Sequence, residues 1–144
     1  MVYGEYPYKI DKKNRMCIPS DFRKFFGEKC MVCRGLDAKP CLYIYPMDGW
    51  AELDAYIKSM PLATSRTVRK FVFAGAAELE FDGQGRILLP AHLREYAGLT
   101  EEVMVVGQSD YAAIWNPERW EEEKIICSPE NAVALLESWE VKEP

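Results

Sequence analysis

Histidine is almost missing from this chain: His92 is the only one. The sequence places no serine or cysteine beside it to complete a nucleophile and base pair, so a surface or capping role is expected. No apolar run approaches the roughly eighteen residues of a bilayer span. The N-terminal MVYGEYPYKID lacks the basic-then-apolar order of a secretory signal, and a cytoplasmic location with no membrane partner is expected. Cysteines are few and odd in number (Cys17, Cys30, Cys33, Cys41, Cys127), which argues for reduced thiols and against a disulfide framework. Cys30 and Cys33 form C-x-x-C, with Cys41 as a third donor. Residues three apart on a strand point to opposite faces and no fourth soft ligand is evident, so no metal is assigned. Gly83 and Gly85 lack the third glycine and the strand-before, helix-after context of a dinucleotide loop, and read as turn chemistry. The sequence therefore offers no catalytic residue, cofactor or small-molecule substrate.

What is present is a chain of 144 residues, 49% apolar, with a net charge of −5. That average conceals a split. Residues 1–70 hold thirteen Lys/Arg against eight Asp/Glu, whereas residues 71–144 hold five against fifteen. Within 9–34 the basic set is Lys9, Lys12, Lys13, Arg15, Arg23, Lys24, Lys29 and Arg34, opposed by Asp11, Asp21 and Glu28. Charge asymmetry of this kind is a binding clue.

The chain also repeats itself. A shift of 71 aligns Gly4 with Gly75, Asp11 with Asp82, Arg15 with Arg86, Pro19 with Pro90, Arg23 with Arg94 and Gly27 with Gly98, the signature of a tandem duplication. We divide it into a first repeat at 1–70, a second at 71–127 and a C-terminal helical tail at 128–144. Each copy opens with a strand, YGEYPYKI or FAGAAELEF, and enters a turn whose fourth residue is Asn14 or Gly85, the residue types that best tolerate positive φ. A short apolar strand follows, RMCIP or RILLP, its proline suited to the first turn of a helix. Helices SDFRKFF and AHLREYA come next and end at Gly27 and Gly98, where left-handed C-caps are expected. Strand pairs CMVCRGL with CLYIYP and EVMVVGQ with AAIWNP complete the copies. Trp50, Leu53, Ile57 and Met60 fall on one face of a further helix closed by Pro61, and TSRTVRKFVFAG links the copies with no flexible spacer. Tyr43, Tyr45, Trp50, Trp115 and Trp120 follow the same periodicities and read as core or subunit interface. In the tail, Ser128 is placed to cap, Pro129 to start a helix, and Val133, Leu136 and Trp139 to form a stripe docked on the body or a neighbour.

The doubled D-x-x-x-R before an apolar strand and proline, with GEY and AGAAELE ahead of the two copies, resembles the MraZ family. RGLD at 34–37, LREYAGL at 93–99, VVG at 105–107 and IWNPERWEE at 114–122 add to the match. The resemblance implies an α+β, β-rich fold: a tandem duplicated swapped-hairpin of the AbrB/MazE/MraZ-like double-split β-barrel type with flanking helices. It further implies a ring-shaped homo-oligomer and a nucleoid-associated transcription regulator that binds direct repeats in double-stranded DNA upstream of a cell-division and cell-wall gene cluster. Two departures are Asn14, where glycine is common in the family, and the cysteine-rich CMVCRGLDAKPC.

On that reading Asp11, Lys12, Lys13, Asn14 and Arg15 form the main DNA contact. The carboxylate is placed to accept turn N–H groups or to pair with the arginine, and Arg suits a phosphate or a guanine edge. The lysines add phosphate contacts that govern affinity more than sequence choice. The second turn, with Gly83, Gln84 and Gly85 in place of lysines, is secondary, and Arg86 is its candidate contact. Three other readings stay open: ion pairs that merely stiffen two hairpins, an antitoxin-like module whose partner is a protein, and a small acid–base enzyme using Asp and Arg pairs.

Overall fold

The computed structural model describes residues 1–142, with the side chains of 140–142 left aside. The first half runs β1 (Val2–Lys9), β2 (Arg15–Cys17), α1 (Ser20–Phe26), β3 (Lys29–Arg34), β4 (Leu42–Pro46), α2 (Met47–Lys58) and α3 (Leu62–Ala74). The second runs β5 (Ala77–Glu80), β6 (Arg86–Leu88), α4 (Ala91–Ala97), β7 (Glu102–Ser109), β8 (Ala112–Trp115), α5 (Pro117–Ile126) and α6 (Pro129–Lys142). The class is α+β, with a six-stranded antiparallel sheet in the order β1-β7-β8-β4-β3-β5 and a two-stranded ribbon of β2 with β6.

That order mirrors the repeat. Exchanging β1 with β5, β3 with β7 and β4 with β8 leaves it unchanged, so the first strand of each copy pairs with a strand of the other copy. The central strands β4 and β8 are buried at every residue, which explains their unbroken apolar sequences. The sheet separates two cores. On one side Val32, Leu42, Ile44, Val105 and Ile114 pack with Met16, Ile18, Ile87 and Leu89 from the ribbon region and with Phe22, Phe26 and Leu93 from α1 and α4. On the other, Cys33, Tyr43, Tyr45, Val106 and Trp115 pack with Val72 of α3 and Trp120 of α5. Cys30 and Cys33 thus sit on opposite faces, both fully buried, and their thiols are pushed up to about 12 by desolvation. The five aromatics singled out above all belong to the second core or pack against it, with Tyr45 meeting Trp50 at 6.0 Å between ring centroids.

Four local expectations need correction. The second copy's opening strand does not begin at Phe73: α3 continues through Ala74. Ser65, Val68 and Val72 form the inward stripe of that helix, and Phe73 packs edge-on against Trp50 at 4.9 Å. An apolar run reads as a strand by composition, but here its period is helical. Pro19 and Pro90 stand one position earlier than expected, as extended N-cap residues rather than inside the first turn. Gly98 is left-handed (φ 64, ψ 37), whereas Gly27 has positive φ but an extended ψ (φ 78, ψ −140), so only the second copy has the expected cap. The tail is helical, with Pro129 first and Ser128 Oγ accepting from the Asn131 N–H at 3.2 Å. Its stripe, however, is not covered by the body, because Val133, Leu136 and Trp139 are all more than half exposed.

Candidate nucleic-acid interface

Both turns are built by one carboxylate. Asp11 Oδ1 accepts from the backbone N–H of Lys13 and of Arg15, each at 2.9 Å, and Oδ2 accepts from Arg15 Nε at 2.9 Å. The backbone closes the loop, Asn14 N–H donating to Asp11 O at 3.0 Å and Asp11 N–H to Arg15 O at 2.8 Å. In the second turn Asp82 takes Gln84 and Arg86 N–H at 2.9 Å and Arg86 Nε at 2.8 Å in the same manner. The D-x-x-x-R spacing is what this cage requires. An Asp oxygen reaches N–H groups two and four residues on only if the fourth residue turns left-handed, and Asn14 and Gly85 do so at φ 65 and 76.

Those donors fix the charge state as well. Hydrogen bonds from the Arg15 backbone N–H, then from its guanidinium, hold the Asp11 carboxyl below the ordinary carboxylate range, and Arg86 does the same for Asp82. Both aspartates are ionised at neutral pH. Each arginine therefore has its Nε committed, so the direction of its outer guanidinium nitrogens is set by the turn.

The two cages are adjacent, which sequence separation conceals. The ribbon pairs Arg15 with Leu88 and Cys17 with Arg86. Asn14 O accepts from Leu89 N–H at 3.0 Å and Gly85 O from Ile18 N–H at 3.3 Å. Arg86 Nη1 consequently stands 3.9 Å from Asp11 Oδ2 while its own Nε holds Asp82. Arg23 lies over Gly85, where an added Cβ would meet its Cζ at 2.7 Å. Neither contact was singled out from the sequence.

Around this centre the linear basic segment disperses. Lys12 and Lys13 are exposed at the first tip, and among the described residues neither is paired with a carboxylate. Lys9 faces Glu102 across the sheet, and Lys29 pairs with Glu78 at 3.8 Å. Arg34 is half-buried, its guanidinium 5.6 Å from the Phe71 ring and 5.8 Å from the Tyr96 ring. Asp11, Lys12, Lys13, Asn14 and Arg15 are brought together with Arg86. His92 Nε2 lies 2.9 Å from Gly75 O and joins nothing else at this site.

Comparison with known proteins follows the same lines. The chain matches the family described as "MraZ protein, putative antitoxin-like" over residues 1–70 and again over 72–125. It is 50% identical over 124 residues to a protein named transcriptional regulator MraZ from Moorella thermoacetica, covering 85% of each chain. Proteins of the same name from Acetivibrio thermocellus (48% over 124 residues, 84% of this chain and 85% of that one) and Halothermothrix orenii (43% over 122 residues, 83% and 84%) are similar to it as well. Among the described residues no helix is long and apolar enough to cross a membrane.

Proposed function

The chain belongs to the MraZ family of transcriptional regulators, and from that premise we propose that it regulates transcription by binding direct repeats in duplex DNA, upstream of a cell-division and cell-wall gene cluster. The contact set is Asp11, Lys12, Lys13, Asn14 and Arg15, with Arg86 beside them. One observation carries the reading: a rigid turn presents two exposed lysines and an arginine whose Nε is pinned to Asp11 while, among the described residues, its outer nitrogens are unclaimed. A planar fork held in a fixed direction suits a guanine edge or a phosphate, and the neighbouring ammonium groups suit the backbone of the duplex.

One such tip binds weakly at physiological salt, because counterions compete for the same phosphates. A ring-shaped homo-oligomer presents the tip many times, and tandem DNA repeats let several tips dock at once, which raises apparent affinity by about 10²–10⁴ where the spacing fits. The exchange-symmetric strand order and the interleaved β2–β6 ribbon support the swapped-hairpin assignment and the division into repeats at 1–70 and 71–127 with a tail from 128. The protein then acts at the nucleoid, with no cofactor and no catalysis.

The deciding experiment is a gel shift on the chain's own upstream region with repeats scrambled one at a time. Arg15→Ala abolishes specific retention, and scrambling one repeat weakens binding to the others. Retention unchanged by Arg15→Ala overturns the site. An antitoxin-like role has its own support in the exposed Ile125, Leu135, Leu136 and Trp139 on α5 and α6, an apolar surface that suits a protein rather than DNA. It requires a small partner that copurifies with the intact chain and is lost with Trp139→Glu.

A further inference from the structure

The two tips differ in how their arginines are committed. Arg15 gives Nε to Asp11 and nothing else among the described residues, with 29% of its side chain exposed. Arg86 faces two carboxylates: Nε donates to Asp82 at 2.8 Å, Nη1 stands at ion-pair distance, 3.9 Å, from Asp11 Oδ2, and its side chain is 23% exposed. No reciprocal ion pair joins Arg15 to Asp82 among the described residues. Asp11 thus answers to two guanidiniums through the same Oδ2 atom, one of its own turn and one of the other repeat.

We propose that Arg86 is a positioning residue for the first tip, acting through Asp11 and not by touching DNA, an inference that rests on the DNA-binding reading above. The geometry gives the reason. Oδ1 is already saturated by two backbone N–H groups, so the only freedom left to the carboxylate is at Oδ2, and that atom sets the direction of Arg15 Nε. A second cation beside Oδ2 restrains the carboxylate and reduces the negative charge facing the DNA surface. The guanidinium does this because its fork spans two carboxylates at once, which a lysine ammonium on a flexible stem does not reproduce. The duplication then has a mechanical use: the copy without lysines at its tip serves as a strut for the copy that has them.

Charge and position separate in Arg86→Lys, which keeps the cation and loses the bridge. The test measures binding to a duplex carrying the repeats and to a scrambled duplex, across a salt series. The expected result is about a tenfold loss on the repeat duplex, near the low end of what one reading arginine is worth, with scrambled-duplex affinity and the salt slope unchanged. In an Asp11→Asn background the same substitution changes binding less than about twofold, because the group it acts through is gone. Two results overturn the proposal. One is wild-type binding by Arg86→Lys, which a salt slope lowered by about one in Arg86→Gln would trace to a direct phosphate contact. The other is an undiminished tenfold loss in the Asp11→Asn background. If Arg86→Lys does not fold, Asp82→Asn, which releases the other end of the guanidinium, is measured in its place with the same expected and refuting outcomes. Arg15→Ala in the same assay keeps the two readings apart: specific binding that survives it sinks the DNA site itself, whereas its loss with Arg86→Lys inert sinks only the strut.

Discussion

Replacing Gly85 by alanine tests whether the turns are as rigid as the cage geometry requires. The backbone there has φ 76 and the residue is buried. An L-residue with a Cβ in the left-handed region is disfavoured by roughly 1–2 kcal/mol. The new methyl would also stand 2.5 Å from Arg23 Nη1, 2.7 Å from Cζ and 2.8 Å from Cδ. That second effect is the smaller one, since the obstructing atoms are the outer part of a flexible side chain. Arg23 Nε is already buried without a partner, so moving the side chain breaks no hydrogen bond at that atom. The expected loss is therefore about 1–2 kcal/mol, which for a chain of this size lowers the melting temperature by roughly 2–8 °C. Circular dichroism melts at fixed protein concentration read it directly. Asn14→Gly is the internal control, because glycine accepts φ 65 without strain and destabilises only through the unfolded chain, by about 0.5–1 kcal/mol at most. Adding Arg23→Ala to Gly85→Ala should recover little. If Gly85→Ala melts with wild type, or if Arg23→Ala restores it fully, the left-handed turn is not the constraint argued above.

Two further outcomes follow from the charges and thiols. Asp11 and Asp82 have depressed pKa values, so their contribution to stability is complete above the ordinary carboxylate value near 4 and is lost as pH falls through the lower folded value. Stability and specific DNA binding should thus not change on account of these groups between pH 5 and 8 and should fall only in acid. Asp11→Asn with Asp82→Asn should flatten that acid limb in a urea titration, and a limb unchanged in the double variant counts against the cage. Among the thiols, Cys127 is exposed, while Cys30, Cys33 and Cys41 are buried and desolvation pushes all three up. Iodoacetamide should modify the native protein at Cys127 well before those three, and mass spectrometry showing early modification of Cys30 or Cys33 would place β3 outside the sheet.

The turns and the repeat were legible in the sequence because their chemistry is local. Asp at the first position, Asn or Gly at the fourth and Arg at the fifth form a cage within five residues, and nothing distant has to be known to draw it. The same holds for the C-cap at Gly98 and the helix start at Pro129. Phe73 and the basic segment illustrate what local chemistry leaves open. FVF has the composition of a strand, and distant partners such as the ring of Trp50, twenty-three positions back, and the core around Val72 make helical packing the better arrangement. Arg34 counts as one more cation in a linear tally, yet two aromatic rings from α3 and α4 hold its guanidinium and leave it half-buried. Burial is decided by partners that a window of sequence does not contain.

The approach of Arg86 to Asp11 belongs to the same class and carries the larger consequence. Duplication alone predicts two equivalent tips, each with an Asp and an Arg in one local cage. Interleaving the copies through the β2–β6 ribbon sets those cages side by side, so the carboxylate of one is within ion-pair distance of the arginine of the other. Once the cages share a carboxylate, their roles need not be equal. The lysines are at the first tip only, and the arginine that faces both carboxylates is at the second. A symmetric fold therefore supports an asymmetric surface, in which, on the proposed reading, one copy reads and the other braces. Substitutions at corresponding positions should differ accordingly, Arg15→Lys changing which sequences are retained and Arg86→Lys changing how tightly the same sequences are held.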